Sequence, residues 1–355
     1  MKIILAPIMG VTDRIYRTTF AQHFTGVDLS MAPFISSVQA RSIKPSYLKD
    51  VLPENNLLLP VIPQILSNNS DDFLFLANKI FDLGFEEINW NLGCPSPTVV
   101  NKKRGSGLLP FPEVIDRFLE RVIPQLTSRL SIKLRLGRYH VHEIEALLPI
   151  FDQYPLTELI VHPRLGAQLY SGGVDLDTFA QVLSQTRHRV VYNGDITKID
   201  NFSTLRARFP LIDSWMIGRG LLADPFLAAK IVSFLEAETS NSLPGTNVQI
   251  REDGKKCVVF NQKSLQFDGV GTNPSLKSDK DMAILETFHT VLYGQYREIL
   301  CGPAHLLARM KCFWGYFSEN FTNSPKVRKK IYKTNSPDQY LEVTHQLFAE
   351  GGLPL

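Results

Sequence analysis

The chain has 355 residues, of which 44% are hydrophobic and 21% charged, and its formal net charge is +3. This length holds one large domain with an appendage, and the balance excludes disorder along the whole chain. So small a net charge neither demands nor excludes a nucleic-acid partner, because binding depends on a local patch.

Met1 to Gly10 is too short and too Pro/Gly-broken for a signal peptide or a membrane span, so a cytoplasmic protein without membrane association is expected. From there to about residue 220, short apolar runs rich in β-formers recur: Ile3–Ile8, Leu29–Ile35, Leu58–Ile65, Glu86–Leu92, Leu130–Leu136, Glu158–His162, Arg189–Tyr192 and Ser214–Ile217. Most of the intervals hold helix-like stretches, such as Asp71–Leu83, Phe111–Leu126 and Ile144–Tyr154. Strand–helix alternation predicts a parallel sheet, and near-continuous apolar strands predict that both its faces are covered. Eight such units fit a (β/α)8 TIM barrel over residues 1–238, closed by a helix at Phe226–Glu238. A doubly wound open sheet would want a glycine fingerprint after its first strand, and Gly10 stands there alone.

Residues 239–280 are rich in Asn, Ser, Gly, Lys and Asp. They read as a linker or insertion, left open between disorder and a hairpin of Val248–Arg251 and Lys256–Phe260 around Asp253-Gly254. From residue 281 to 355 the pattern is helical, with helices expected at Met282–Ile299, Pro303–Phe321, Pro325–Tyr332 and Ser336–Phe348. This predicts a small all-α C-terminal domain. The four cysteines include no CxxC pair, which argues against a zinc ribbon or iron–sulfur cluster, and no metal is expected.

In a parallel barrel the active site gathers at the C-terminal ends of the strands. Polar groups recur there: Pro7, Ile8 and Met9 after strand one, Gln64 on strand three, Asn89, Asn91 and Cys94 on and after strand four, Lys133 and Arg135 on strand five, and His162 and Arg164 on strand six. Asn193, Gly194 and Asp195 follow strand seven, and Gly218, Arg219 and Gly220 follow strand eight. A barrel interior wants branched apolar side chains, so polar groups at one end of so many strands mark a site. Alternation puts Lys133 and Arg135 on one face, where facing inward they need an anionic or polar partner. His162 fits either a satisfied core histidine or a site group. Asn193 and Asp195 serve equally well in an Asx turn or against a ligand. Loops after strands seven and eight are the usual phosphate site of such barrels, so Gly194, Gly218 and Arg219 predict a phosphorylated cofactor. Cys94, between Gly93 and Pro95, reads as a loop thiol able to act as nucleophile or acid. The stretch Asn101–Gly107 is either a solvated loop or another anion contact.

These residues carry a resemblance. Ala6-Pro7-Ile8-Met9-Gly10-Val11-Thr12-Asp13, Asn91-Leu92-Gly93-Cys94-Pro95, Lys133-Leu134-Arg135-Leu136-Gly137, Val161-His162-Pro163-Arg164, Asn193-Gly194-Asp195-Ile196 and Met216-Ile217-Gly218-Arg219-Gly220 stand in order along the chain. In them the sequence resembles the tRNA-dihydrouridine synthases, the cysteine motif being the most specific element. The resemblance implies FMN held by Pro7, Ile8, Met9, Gln64, Lys133, His162, Asn193, Gly194, Asp195, Gly218 and Arg219. It implies an FMN-dependent oxidoreductase that reduces the uracil 5,6 double bond of tRNA, at a D-loop uridine, with NADPH as electron donor. Cys94 would be the general acid and Asn91 would help to hold the base. On the helical domain, Arg309, Lys311 and the cluster Lys326, Arg328, Lys329, Lys330 and Lys333 are candidate tRNA contacts, a solvated helix face being the equal alternative for each. A monomer is expected. Pro97 departs from the family pattern, which more often has a lysine after the cysteine motif. The alternative reading is an FMN-dependent TIM-barrel oxidoreductase acting on a small molecule.

Overall fold

The computed structural model describes residues 1–39, 43–241, 248–250, 256–258 and 277–350. All eight expected runs form parallel strands: Lys2–Leu5, a second strand in two pieces (Leu29–Met31 and Ile35–Ser36), a third in two pieces (Val61–Ile62 and Gln64–Leu66), then Glu87–Leu92, Arg129–Gly137, Leu159–Leu165, Val190–Tyr192 and Ser214–Ile217. The breaks in strands two and three fall at Pro33 and Pro63, residues with no N–H to give the ladder. The third strand starts at Val61 rather than Leu58, because Pro60 precedes it and Leu58 lies 56% exposed.

Pairing runs around the whole set. Strand one lies between strand eight, with Ile4 beside Met216, and strand two, with Ile4 beside Leu29. Both pieces of strand two pair with those of strand three, Met31 beside Ile62 and Ile35 beside Ile65. The ladder continues from Gln64 beside Asn89 to Trp215 beside Tyr192 and so closes a barrel. Two apolar clusters follow from strand alternation. The large one joins the outward strand faces to the helices, for example Trp90 stacked on Phe118. The small one fills the bore: Ile4, Ala6, Met31, Ile62, Ile160, Val191 and Met216.

Helix Leu227–Asn241 closes the barrel and runs three residues past the expected boundary. Within the linker, Val248–Ile250 and Lys256–Val258 pair antiparallel, as the Asp253-Gly254 turn predicts; the turn itself and the rest of 259–276 lie outside the described residues. The helical region holds Asp279–Ile299, Pro303–Phe317, Ser324–Tyr332 and Pro337–Glu350. Its first helix starts earlier than expected because the Ser278 hydroxyl accepts from the Asp281 N–H at 3.1 Å. Aromatic rings weld it to the barrel: Phe288 lies 5.9 Å from Tyr16 and 5.0 Å from Phe24, ring centre to ring centre. Asp13 ties the same junction. Its carboxylate caps helix Arg14–His23 through the Tyr16 N–H, and accepts from the Tyr296 hydroxyl at 2.7 Å and Arg309 at 3.1 Å. Among the described residues no helix is long and apolar enough to cross a membrane.

At the opposite end of the barrel from the candidate site, Glu158 precedes strand six. Burial and then the Glu87 charge push its carboxyl up to about 7, against the opposing pull of Arg189 and Lys2. The folded state therefore keeps a proton that the unfolded chain releases near 4.5, and stability falls as pH rises through that window. Glu158→Gln is expected to raise the melting temperature by about 2 °C or more at pH 8 and to leave it unchanged at pH 4. Thermal unfolding at both pH values checks this; an equal shift at both would mean that the carboxyl's ionisation is not the cause.

Candidate active site

The floor of the barrel mouth is a chain of buried amides. The Asn91 side-chain amide donates to Gln64 Oε1 at 2.7 Å, Gln64 Nε2 donates to Asn89 Oδ1 at 2.7 Å, and Asn89 Nδ2 donates to Ser131 Oγ at 3.0 Å. Ser131 Oγ ends the chain on the Ile88 carbonyl at 3.3 Å. Parallel register makes this possible, since Gln64 sits beside Asn89 and Asn89 beside Ser131. Every donor points the same way, so a buried polar row that would be costly unpaired is satisfied.

The free end of that row holds the cysteine loop. Asn91 Oδ1 accepts the N–H groups of Gly93 at 3.1 Å and Cys94 at 2.9 Å, which folds the loop back over the strand end. The Cys94 carbonyl in turn accepts from the N–H of Ser106 at 3.0 Å and from its hydroxyl at 3.1 Å. Gly105 has φ +55°, and a side chain there would meet the Cys94 oxygen at 2.6 Å, so only glycine serves. The end of the 101–107 stretch is thus a buried backing for the cysteine rather than a solvated loop. Burial pushes the half-buried Cys94 thiol above its ordinary value, and the Ser96 N–H, Arg135 and Lys133 only partly offset this. The thiol stays protonated at neutral pH.

Around it lie four cations and one carboxylate. Lys133 stands beside Asn91 in register, and Arg135 beside His162. Burial, then the Arg135 charge, bring the Lys133 ammonium down to about 7. Arg135 gives its NH1 to the carbonyls of Leu165 at 2.8 Å and Leu169 at 2.5 Å. It thereby pins the turn after strand six, where Leu169 has φ +53°. Arg164 donates to His162 Nε2 at 3.1 Å, which leaves the proton of the neutral imidazole on Nδ1. Burial and then Arg135, Lys133, Arg164 and Arg219 hold His162 well below its ordinary value, so it remains neutral. Burial alone would raise Asp195, but hydrogen bonds and charge from Arg164 and Arg219 outweigh it and keep the carboxyl ionised.

One cavity of about 610 Å³ takes in Pro7, Ile8, Met9, Gln64, Asn91, Cys94, Lys133, His162, Asn193, Gly194, Asp195, Gly218 and Arg219. That is within the usual size for a cofactor site. On its strand-seven and strand-eight side, the N–H groups of Gly194, Asp195 and Gly218 have no partner among the described residues. A Cβ on Gly218 would press on that of Ala6 at 3.2 Å. Free N–H groups, a glycine cradle and Arg219 together suit a phosphate. Asn193 is turned away from this role in part, since its amide donates to the Met216 carbonyl at 2.8 Å.

Arg309 and Lys311 are not brought to the cavity. Arg309 donates to the Gly10 carbonyl and to Asp13, and Lys311 donates to the carbonyls of Tyr332 at 3.1 Å and Thr334 at 2.5 Å. The cavity also uses residues that sequence reasoning left unassigned. Arg135 had a signal, the i+2 alternation from Lys133. Phe34 and Tyr170 had none beyond lying in strand-end loops, and Tyr316 comes from helix Pro303–Phe317 of the other domain. Among the described residues no cluster of His, Cys, Asp or Glu is placed to hold a metal ion.

The chain is similar to known proteins. The chain is 27% identical over 278 residues to tRNA-dihydrouridine synthase B of Pasteurella multocida, covering 76% of this chain and 79% of that protein. It is 25% identical over 350 residues to tRNA-dihydrouridine synthase B of Xanthomonas axonopodis pv. citri, covering 98% and 92%. Among solved structures, the old yellow enzyme homologue of Zymomonas mobilis matches 70% of this chain and 91% of its own, with 13% identity and a TM-score of 0.47. The family model described as dihydrouridine synthase (Dus) matches residues 4–264, which include barrel strands two to eight, the end of strand one and the cysteine loop, and the chain belongs to that family.

Proposed function

We propose that this protein is an FMN-dependent oxidoreductase that reduces the 5,6 double bond of a D-loop uridine in tRNA, with NADPH as the electron source. The observation that carries the reading is a thiol held protonated by burial in a cavity that Lys133, Arg135, Arg219 and the free N–H groups of Gly194, Asp195 and Gly218 also line. Such a thiol is a poor nucleophile and metal ligand but a competent proton donor. The relatives named tRNA-dihydrouridine synthase B support the substrate assignment.

In this reading Gly194, Gly218 and Arg219 hold the flavin phosphate, and Pro7 to Met9, Gln64, Lys133 and His162 face its ring and side chain. When bound there, the flavin supplies the hydride that a carbon–carbon double bond needs. The chain's own contribution is position and protons. Asn91 fixes the Cys94 backbone through two N–H bonds, so the thiol delivers its proton to C5 of the uracil from a set direction. Lys133, half-ionised near neutrality, takes on charge as an anionic group approaches. Neutral His162 offers Nδ1–H as a donor whose protonation does not change with pH in the working range. The uridine must leave its stack to reach this depth, at about a few kcal/mol, which backbone contacts outside the cavity offset.

The reading is tested by purifying the protein with its cofactor, supplying NADPH and an unmodified tRNA transcript, and analysing the nucleosides. Dihydrouridine at a D-loop position is the expected product. An unreduced transcript beside rapid reduction of a small enone would favour the small-molecule reading instead.

Two further outcomes follow from the site. Cys94→Ala should keep its yellow colour and lose about 10²- to 10⁴-fold in single-turnover tRNA reduction, the worth of a positioned general acid. Full activity in that variant would remove the proton-donor role. Separately, binding an anion raises the Lys133 pKa above about 7, so complex formation takes up a proton above that pH. FMN affinity of the apo-protein is therefore expected to weaken from pH 7 to pH 9, by at most about tenfold per unit, and Lys133→Met should flatten the slope. Fluorescence titration of FMN at several pH values measures both.

A further inference from the structure

Helix Pro303–Phe317 buries Met310, Phe313, Trp314 and Phe317 in the helical domain. Its opposite face carries Arg309, Cys312 and Tyr316 at helical spacing. Arg309 lies on the Gly10 carbonyl and Asp13, so this face borders the barrel mouth. Two turns beyond Arg309, Tyr316 reaches the mouth itself and, among the described residues, is the one helical-domain side chain lining the cavity. It is half-buried, and among the described residues its hydroxyl has no hydrogen-bond partner.

Tyr316 does not stand alone. On the barrel side, the half-exposed Arg219 guanidinium lies 4.9 Å from the centre of the Tyr170 ring, and Tyr170 is 54% exposed. Arg219, Tyr170 and Tyr316 line the same cavity. On the far side stands Tyr332, 48% exposed. A Cβ on Gly315, mid-helix beside Tyr316, would meet the Tyr332 hydroxyl at 3.1 Å. Glycine inside a helix costs about 1 kcal/mol relative to alanine, and here it lets Tyr332 close on the helix. Lys311 holds that approach from below through the Tyr332 carbonyl. Helix Ser324–Tyr332, which ends at this ring, carries Lys326, Arg328, Lys329 and Lys330 and no acidic residue. Among the described residues Lys326, Arg328, Lys329 and the following Lys333 are in no ion pair.

We infer that Tyr316 and Tyr332 form an aromatic step leading out of the cavity, on which a nucleotide flanking the reduced uridine stacks, and that Tyr316 helps to set which uridine enters. Interleaved rings and unpaired cations are what a strand of unstacked RNA requires: π-faces for the bases and positive charge for the phosphates. The surface begins at the cavity rim, where an extruded nucleotide must leave its neighbours behind. This rests on the tRNA reading above.

The test uses the flavin-loaded full chain with Tyr316→Leu, which keeps apolar bulk on the helix but removes the ring, and Tyr316→Phe, which keeps the ring. For tRNA, Tyr316→Leu is expected to lose about tenfold in kcat/KM, chiefly in KM, whereas Tyr316→Phe stays within about twofold of wild type. The same assay is run on transcripts with an abasic nucleotide on either side of the target in turn. At one of these positions the gap between Tyr316→Leu and wild type should close, because no base remains to stack. Wild-type kinetics in Tyr316→Leu would overturn the inference, as would a gap that persists on both abasic transcripts, since the ring would then act only through helix packing. A wild-type enzyme that reduces no uridine in any transcript would instead overturn the tRNA reading together with this one.

Discussion

The site depends on the directional row of hydrogen bonds from Asn91 through Gln64 and Asn89 to Ser131. Strands three, four and five could have filled this side of the bore with apolar residues, as strands six, seven and eight do with Ile160, Val191 and Met216. Apolar residues would have packed, but they would leave the loop after strand four without a fixed anchor. Charged residues would anchor it only at a desolvation cost. Carboxamides avoid both faults. Each offers a donor and an acceptor, so the row is satisfied internally and its last acceptor, Asn91 Oδ1, remains for the Cys94 backbone. The cysteine loop is therefore anchored to the barrel wall beneath it.

Burial, and after it the cations at the mouth, decide three altered titrations. Lys133, Arg135, Arg164 and Arg219 cluster around His162, and among the described residues Arg164 and Arg219 pair with the Asp195 carboxylate. After burial, this excess of cations depresses Lys133 and holds His162 neutral. The same charges favour a thiolate at Cys94, yet burial is stronger and the thiol remains protonated. Asp195 sits at φ +35°, a backbone position uncommon outside glycine, and two arginines grip it there. An anionic ligand would relieve the excess.

Legibility of these features in the sequence followed their physical range. Eight strands and their order were legible because period-2 burial and strand–helix alternation are local signals. Cys94, Lys133 and His162 were legible because polar residues at strand ends contradict the interior they enter. The breaks at Pro33 and Pro63 follow from proline chemistry but not from apolar runs that continue across them. Tyr170 and Tyr316 were not legible. A tyrosine in a loop or on a helix has no unusual local pattern, and only tertiary contact carries these rings to Arg219. Asn91 was legible as a site residue, but its bonds to Gln64 and to the cysteine loop exist only once the register is set.

Arg309 shows most directly how the two domains are joined. A basic residue on a helical domain invites assignment to an RNA surface, and its charge alone cannot say otherwise. In the fold its guanidinium is committed to the Gly10 carbonyl and to Asp13, while Asp13 also caps helix Arg14–His23 and receives the Tyr296 hydroxyl. Gly10 follows Pro7, Ile8 and Met9, which line the cavity, so helices Asp279–Ile299 and Pro303–Phe317 are bonded directly to the loop that forms one wall of the site. Hydrogen bonds of this kind hold only within a few tenths of an ångström. The angle at which the helical domain stands, and hence the surface it offers to a bound partner, is therefore set by the same bonds that hold the cavity wall in place.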